Sequence, residues 1–143
     1  MQEQQLFEYA VIRIVPRVER EEFLNIGLVL YCRDRQFLET MFTIDEERLR
    51  AFAGYVDMVE LNEHLCAFEK ISKGDTSAGE IAKLDIASRF RWLTAARSTI
   101  LQTSKVHPGL CDDPKQTLNK LYNDLVLQPA DDPLRPLKGE PGV

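Results

Sequence analysis

The sequence predicts an α+β fold, in which a mostly antiparallel sheet of about four strands packs against helices. Strand-like segments come first along the chain, helical patterns follow, and one late strand lies among the helices. This order lacks the strand–helix alternation of a doubly wound parallel sheet. The length of 143 residues suits one hydrophobic core. We therefore predict a single domain over residues 1–128 and a flexible, Pro-rich C-terminal tail over residues 129–143.

Three strands are predicted in the first part of the chain. Residues 6–15 alternate in the manner of a strand, and apolar side chains on both faces predict an inner strand. Residues 23–32 and 37–44 flank a short polar turn, which predicts a hairpin. Gly27 inside the second strand indicates a bulge or a close backbone approach, and Asn25 beside it is placed to hydrogen-bond a loop backbone.

Helical patterns predominate after the third strand. Acids that can cap a helix precede apolar stripes, and a glycine marks one helix end. The predicted elements are a short helix from Asp45 to about Phe52, a longer helix from Asp57 to Gly74, a helical segment over residues 84–93, a fourth strand over residues 98–103, and a last helix that opens at Asp113 and Pro114.

The overall charge and the apolar runs bear on the classes of partner. A net charge of -5 makes nucleic acid an unlikely partner, because such binders usually carry a basic surface. The longest apolar runs are far shorter than the roughly 20 residues that span a bilayer, so no membrane partner is expected. The first residues lack the basic and apolar regions of a signal peptide. We therefore expect a cytoplasmic location.

The three cysteines contain no C-x-x-C pair, so the sequence predicts neither a disulfide framework nor a zinc site. Cys32 at the end of a strand and Cys66 on a helix are expected to be small core residues. Cys111 is expected in a polar loop near His107, where a Cys/His pair can in principle be nucleophilic. No residues typical of a nucleophile turn surround Cys111, which favours a structural role.

Arginines and acids interrupt the apolar segments at two places and form the candidate ligand-binding set. Long charged side chains in such segments are costly to bury unless they are paired or hold a ligand. Arginine suits bidentate binding of carboxylate or phosphate, and neighbouring hydroxyls can donate to the same anion. The candidates are Arg13, Arg17, Glu19, Glu22 and Asn25 at the first place, Arg89, Arg91, Arg97, Ser98 and Thr99 at the second, and His107 as a proton carrier.

Two interpretations of this set remain open. If the fourth strand pairs near the first, Arg13 and Arg97 could face one pocket that binds an anion. Alternatively, Glu19, Glu22 and Asp112 neutralise the arginines in a structural network, since ion-pair networks perturb charges as readily as active sites do.

Other chemistry is less strongly indicated. Trp92 and Phe90 could stack on a ring, but such residues more often belong to the core. His64 lies on a predicted helix and His107 on a predicted loop, so a two-histidine metal site would need distant segments to converge. The phosphate-binding glycine motifs are absent from the sequence. We therefore expect no metal and no cofactor.

Two long motifs resemble those of a bacterial family called "domain of unknown function 3037", over about residues 6 to 127. The resemblance implies no established activity and supplies no catalytic residues. Genes of this family often lie beside genes for HipA-like kinase proteins, which implies a shared pathway or complex. The motifs are Arg13-x-x-Pro16-Arg17-x-Glu19-x-x-Glu22-x-x-Asn25-x-Gly27 and Arg89-Phe-x-Trp92-Leu93-x-x-x-Arg97-Ser98-Thr99.

Two functional hypotheses follow. The first is a small cytoplasmic binding or accessory protein that contacts a protein partner through its arginine-rich and acidic surface, and the resemblance suggests a HipA-like kinase protein as that partner. The second is an enzyme or sensor that acts on a phosphorylated or carboxylated small molecule. In the second hypothesis Arg13, Arg17 and Arg97 hold the anion, Ser98 or Thr99 orients it, and His107 moves a proton.

Overall fold

A computed structural model of the protein describes residues 3–97 and 99–127, and every structural statement below concerns these residues. The predicted tail over residues 129–143 and the candidate Ser98 lie outside them. The described part has the predicted α+β architecture, with helices packed on an antiparallel sheet.

The sheet has five strands within the described part, rather than about four. Its order is β3-β2-β1-β4, and β5 pairs with the other half of β1 on the same side as β4. β1 is therefore the inner strand that the sequence predicts. The strands are β1 (Gln5–Ile14), β2 (Leu24–Cys32), β3 (Phe37–Phe42), β4 (Leu101–Thr103) and β5 (His107–Cys111).

The helices begin and end close to the predicted positions. Asp57 accepts a hydrogen bond from Glu60 N at 3.1 Å, and Asp45 and Asp113 cap their helices in the same way. Gly74 ends the longest helix with φ 75°, a left-handed conformation that favours glycine. The helices are α1 (Glu46–Ala53), α2 (Met58–Lys73), α3 (Ile86–Leu93) and α4 (Pro114–Leu125), with 3-10 turns at Val18–Arg20, Thr76–Ala78 and Glu80–Lys83.

Two hydrophobic cores lie on the two faces of the sheet. The alternation of β1 separates them, because successive side chains of a strand point to opposite faces. On the front face, Ala10, Ile12 and Ile14 pack against α1, α2 and α3. On the back face, Phe7 and Val11 pack against α4. Because β1 contributes to both cores, seven of its ten residues are apolar.

The middle of β2 has the bulge that Gly27 predicts. The register with β1 shifts there, since Ile12 pairs with Gly27 while Arg13 pairs with Asn25. A Cβ atom on Gly27 would lie 2.7 Å from the carbonyl oxygen of Met41. Both predicted reasons for the glycine, the bulge and the close backbone approach, are therefore confirmed.

Several local predictions were wrong. His107 and Cys111 belong to β5 rather than to a polar loop, and Cys111 is buried. Pro108 and Gly109 are unusual in a strand, but an edge strand tolerates them, and a Cβ on Gly109 would meet the ring of Phe7. Cys66 is exposed on α2 rather than in the core, because it lies beside the buried stripe of that helix.

Candidate functional site

The predicted arginines are distributed over both faces of the sheet and do not meet in one pocket. Arg13 shares the back face with Val11. Arg97 lines a cavity with Phe68 and Leu101, which belong to the front core. Arg13 and Arg97 therefore lie on opposite sides of the sheet, although β4 does pair with β1 as the sequence predicts.

Arg13 lies half-buried on the back face, with its guanidinium carbon 3.9 Å from the ring centroid of Phe23. Burial lowers the pKa of Arg13 below the usual arginine value. Its cross-strand partner Asn25 donates from Nδ2 to the carbonyl oxygen of Leu125 in α4 at 3.2 Å. Within the described residues, Arg13 Nε and Asn25 Oδ1 are buried without a hydrogen-bond partner. This pair of atoms is polar and unsatisfied on a largely apolar face.

Arg17, Glu19 and Glu22 lie in the exposed turn after β1. Glu22 forms an ion pair with Arg20, at 2.5 Å, rather than with any candidate arginine. The hydrogen bond and charge of Arg20 lower the pKa of Glu22. Arg17 borders a shallow depression that also contains Phe52. Because such exposed pairs contribute little stability, this segment is a solvated surface rather than a rigid ion-pair network.

Arg89 closes the C-terminal end of α2. Its Nη1 atom donates to the carbonyl oxygens of Ile71 and Ser72, each at 3.0 Å, and its Nε donates to Leu84 O at 3.0 Å. The last carbonyls of a helix have no partner within the helix, and a cation there also interacts favourably with the helix dipole. Three of its donors are therefore used to hold the helix end and the following loop together.

Arg91 lies elsewhere, in a surface depression of about 360 Å³ that Tyr31 also lines. Two cations, Arg91 and Arg33, face two acids, Glu8 and Asp34, in this depression. The balance of charge offers no excess attraction for an anion.

The predicted proton carrier and nucleophile are placed in the sheet. His107 is half-buried in β5, and its ring centroid lies 5.3 Å from that of Tyr9. Cys111 lies beside Cys32, and burial raises the pKa of its thiol, which opposes nucleophilic reactivity at neutral pH. His64 Nε2 lies 3.7 Å from Glu60 Oε1 on α2. In the described ranges, no group of three or more His, Cys, Asp or Glu side chains could hold a metal ion.

A cavity of about 100 Å³ is lined by two of the candidate residues, Arg97 and Thr99, and by the aromatic side chains of Phe68 and Trp92. It lies between α2, the segment after α3, and the edge strand β4, and we call it the α3–β4 cavity. Trp92, for which the sequence favours the core but leaves a stacking role open, is 40% exposed beside it, whereas Phe90 is buried. Its lining residues are His64, Ala67, Phe68, Ile71, Trp92, Arg97, Thr99, Leu101, Gln102 and Thr103.

Arg97 is the arginine in this lining. Its Nη1 donates to Leu93 O at 2.9 Å and to Ala95 O at 3.4 Å, and its Nη2 donates to Trp92 O at 2.6 Å. The guanidinium carbon lies 4.5 Å from the Trp92 ring centroid. Burial lowers the pKa of Arg97. Among the described residues, no carboxylate lies within ion-pair distance of this guanidinium.

The geometry of the cavity limits what it can bind. Pockets for drug-sized ligands and cofactors have volumes of about 300–1,000 Å³. At about 100 Å³ the α3–β4 cavity is suited to one side chain or one small group. Apolar walls from α2 and a rim that contains Trp92 and Arg97 can bind an apolar group together with a nearby acceptor.

Sequence patterns single out three of the cavity residues, Arg97, Thr99 and Trp92, but not the apolar residues of α2 or the residues of β4. Phe68 and Ile71 carry the ordinary signal of a core helix, which does not distinguish a cavity wall from the core. Gln102 and Thr103 carry no signal, because a three-residue strand is too short to show alternation. Their contribution depends on how β4 pairs with β1.

The fold and this cavity define an α+β protein with a small aromatic and cationic pocket at a sheet edge. The chain belongs to the family described as "Protein of unknown function (DUF3037)", whose model matches residues 9–126. No curated protein matches the chain, and no solved structure matches it. Along the described segments, none of the helices has the length and apolar character needed to traverse a lipid bilayer.

Proposed function

We propose that this chain is a small cytoplasmic binding or accessory protein of bacteria, and that the α3–β4 cavity and its rim contact a protein partner. The observation that carries this proposal is the exposed Trp92 stacked with Arg97 at the mouth of an apolar cavity. Tryptophan and arginine are the residues most enriched where a few side chains supply most of the binding free energy of a protein interface.

The size and the charge of the cavity both favour a protein partner over a cofactor. A volume of about 100 Å³ accommodates one anchoring side chain, and anchoring side chains commonly fill such central pockets. Arg97 supplies a positive charge in a chain whose net charge is -5. This local charge favours a partner with an acidic residue beside its apolar anchor.

The family resemblance names one partner to test first, a HipA-like kinase protein. The tagged chain would be expressed in its native host and purified together with whatever remains bound. A Trp92→Ala variant removes the exposed ring at the cavity. Tyr55→Ala is a matched control, because Tyr55 is an aromatic residue that is 89% exposed away from the cavity.

We expect the native chain and Tyr55→Ala to retain a partner, and Trp92→Ala to lose it. Recovery of no stable partner under several growth conditions would contradict the proposed function. Equal recovery with Trp92→Ala and Tyr55→Ala would move the binding surface away from the α3–β4 cavity.

A second candidate function is an enzyme or sensor for a phosphorylated or carboxylated small molecule. One observation favours it, namely the unsatisfied Arg13 Nε and Asn25 Oδ1, which belong to residues paired across β1 and β2. A ligand with an anionic oxygen and a donor group would satisfy both atoms. In this arrangement Arg97 lies on the front face, Arg17 lies in the exposed turn, and His107 lies beside Tyr9 in β5, so Arg13 carries the anion without them.

A thermal-shift screen of nucleotides and phosphate or carboxylate metabolites tests the second candidate. A ligand present at 100 times its Kd should stabilise the folded state by about 2.7 kcal/mol. We expect the shift to disappear in Arg13→Gln and to persist in Arg17→Gln. Flat melting curves across the whole panel would remove this candidate.

A further inference from the structure

The backbone of β4 alternates between groups that bond to β1 and groups that point away from it. Ile100 O accepts from Val15 N at 2.7 Å, and Ser104 N donates to Val11 O at 2.8 Å. In an antiparallel pair, residues bond to the neighbouring strand at every second position. The even-numbered residues of this segment therefore bond to β1, and the odd-numbered residues between them direct their backbone groups outward.

The outward groups belong to Leu101 and Thr103. The Leu101 carbonyl accepts from the hydroxyl of Thr99 at 2.8 Å. In residues 3–97 and 99–127, no hydrogen bond reaches the N–H of Leu101, the N–H of Thr103 or the carbonyl of Thr103. An open strand edge of this kind is a template for pairing with another extended chain.

The open edge and the α3–β4 cavity are one continuous surface, because Leu101 and Thr103 also line the cavity. Their side chains point to the front face, so a chain paired with β4 would direct every second side chain into or along the cavity. A main-chain ladder supplies affinity in such complexes, and pockets for alternate side chains supply specificity. Both components are present beside β4.

The charge at the rim selects the chemistry of the bound chain. A guanidinium has five N–H donors, and Arg97 uses three of them on Leu93, Ala95 and Trp92. The two remaining donors and the full positive charge are available to a carboxylate. An acidic side chain two positions from the anchor lies on the same face of a strand and can reach this rim.

We infer that the partner binds by strand addition: an extended segment of the partner protein pairs with β4, places an apolar side chain in the α3–β4 cavity, and places an acidic side chain on Arg97. This inference rests on the proposed function and specifies its binding mode. Leu101 and Thr103 donate their outward N–H groups to the segment, and the Thr103 carbonyl accepts from it.

The test uses the full chain and a defined probe. The probe is a capped peptide in which threonine occupies every second position, and in which one leucine and one glutamate lie two positions apart. Titration into the labelled protein is followed by NMR. We expect saturable downfield shifts of the Leu101 and Thr103 amide protons, together with a shift of the Trp92 indole. A peptide methylated at alternate backbone nitrogens should bind at least about tenfold more weakly, the loss expected for one or more hydrogen bonds.

Protein variants at one position separate the backbone donor from the side chain. Thr103→Pro removes the outward N–H, and the bonds to β1 are retained because that N–H faces away from β1. Thr103→Val keeps both the N–H and the β-branched shape. We expect Thr103→Pro to bind the peptide about tenfold more weakly than Thr103→Val, because only the valine variant keeps the outward N–H. The methylated peptide decides the question independently if Thr103→Pro proves unstable.

The acidic position is tested on the peptide, so that the fold of the protein is unchanged. Replacing the glutamate of the peptide by glutamine should weaken its binding to the native protein by about tenfold at low salt. The same replacement should weaken binding to the Arg97→Gln variant by a smaller factor. Equal binding of the two peptides would overturn the assignment of an acidic segment to Arg97.

Further outcomes distinguish this inference from the proposed function. If co-purification retains a partner with Thr103→Pro but loses it with Trp92→Ala, the cavity binds a partner without strand addition, and only the inference fails. If the native chain forms a dimer in sedimentation that Thr103→Pro abolishes, the occupant is a second copy, which also overturns the inference. Absence of amide shifts at Leu101 and Thr103 with all peptides would also overturn the inference.

Discussion

At the end of α2 and at the end of α3, an arginine from a later part of the chain donates to the last carbonyls of the helix. Arg89 does so for α2, and two of its three hydrogen bonds lie in partly buried surroundings. Arg97 does so for α3, and only one of its three bonds is partly buried. Both arginines therefore donate to the carbonyls of a helix end, but the hydrogen bonds of Arg97 are more exposed to solvent than those of Arg89.

The difference teaches that the number of arginines in a segment does not identify a binding site. Arg89 connects α2 to a loop near Leu84, and it is not among the residues that line the α3–β4 cavity. Arg97 uses its donors on one side, and its guanidinium also lines the α3–β4 cavity beside Trp92. The candidate for binding is therefore the arginine whose helix-capping role leaves part of the guanidinium open.

The largest predicted effect is the loss of stability in Arg89→Ala. Hydrogen bonds to charged groups contribute about 1.5–3 kcal/mol, and partly buried carbonyls lose their partners in this variant. We expect the free energy of unfolding to fall by about 3 kcal/mol, as measured by urea denaturation. Arg89→Lys, which keeps the charge but loses the fork of donors, should recover less than half of this loss.

The same experiment has a functional arm. Because Arg89 lies away from the α3–β4 cavity, the fraction of Arg89→Ala that remains folded should bind the probe peptide with native affinity. A loss of affinity equal to that of an Arg97 variant would contradict the separation of the two helix ends.

The next effect concerns Gly74, the residue that ends α2. Its φ of 75° favours glycine, and a Cβ atom there would lie 3.0 Å from Arg89 Nη1. We expect Gly74→Ala to lower the free energy of unfolding by about 1–2 kcal/mol, from the left-handed conformation and the displaced guanidinium. In the Arg89→Ala background, Gly74→Ala should lower the free energy of unfolding by less, because no guanidinium is displaced. A double-mutant cycle measures this coupling.

The strands and helices were largely predictable because each has a local signal. Asp57 and Gly74 mark the ends of α2. Alternation along residues 6–15 predicts an inner strand, and it assigns the side chains to the two faces that the structure shows. β5 had no such signal, since Pro108 and Gly109 are typical of turns. Long-range pairing with the first half of β1 decides its conformation, and this pairing is not encoded in the segment itself.

The candidate site was less predictable because it depends on which face a side chain occupies and on backbone partners. Arg13 and Arg97 are both near the β1–β4 pair in the sequence pattern, but the front and back faces separate them. Arg89 bonds to carbonyls near residue 71, and a backbone carbonyl is the same for every residue type. No motif of side chains can therefore reveal that Arg89 is structural.

A smaller effect on stability is predicted for Arg97→Ala than for Arg89→Ala. Its carbonyl partners lie closer to solvent, so water replaces most of the lost bonds, and stacking on Trp92 adds little at an exposed site. We expect the free energy of unfolding to fall by about 1 kcal/mol. A fall as large as that in Arg89→Ala would show that Arg97 is also structural, and the proposed binding role would lose its main support.

The smallest effect is the dependence on pH of the segment that follows α2. Asp75 accepts a hydrogen bond from Ser77 N at 3.0 Å, and this bond, aided by the Ser77 hydroxyl and by Lys70 and Lys73, lowers the pKa of Asp75 below the ordinary 3.8. A carboxyl whose pKa is lowered in the folded state stabilises the fold above the unfolded pKa, and that contribution is lost as pH falls through the folded value.

NMR titration of the Asp75 carboxyl should therefore give a midpoint below 3.8, and the Ser77 amide shift should follow the same curve. In Asp75→Asn the amide oxygen still accepts the bond but carries no charge, so the Ser77 amide should show no transition in this range. The native chain should be more stable than the variant near neutral pH, and the two should converge as the carboxyl becomes protonated. A midpoint at or above 3.8 would mean that the bond from Ser77 does not favour the charged form, and that the end of α2 is held by Arg89 and Gly74 without help from Asp75.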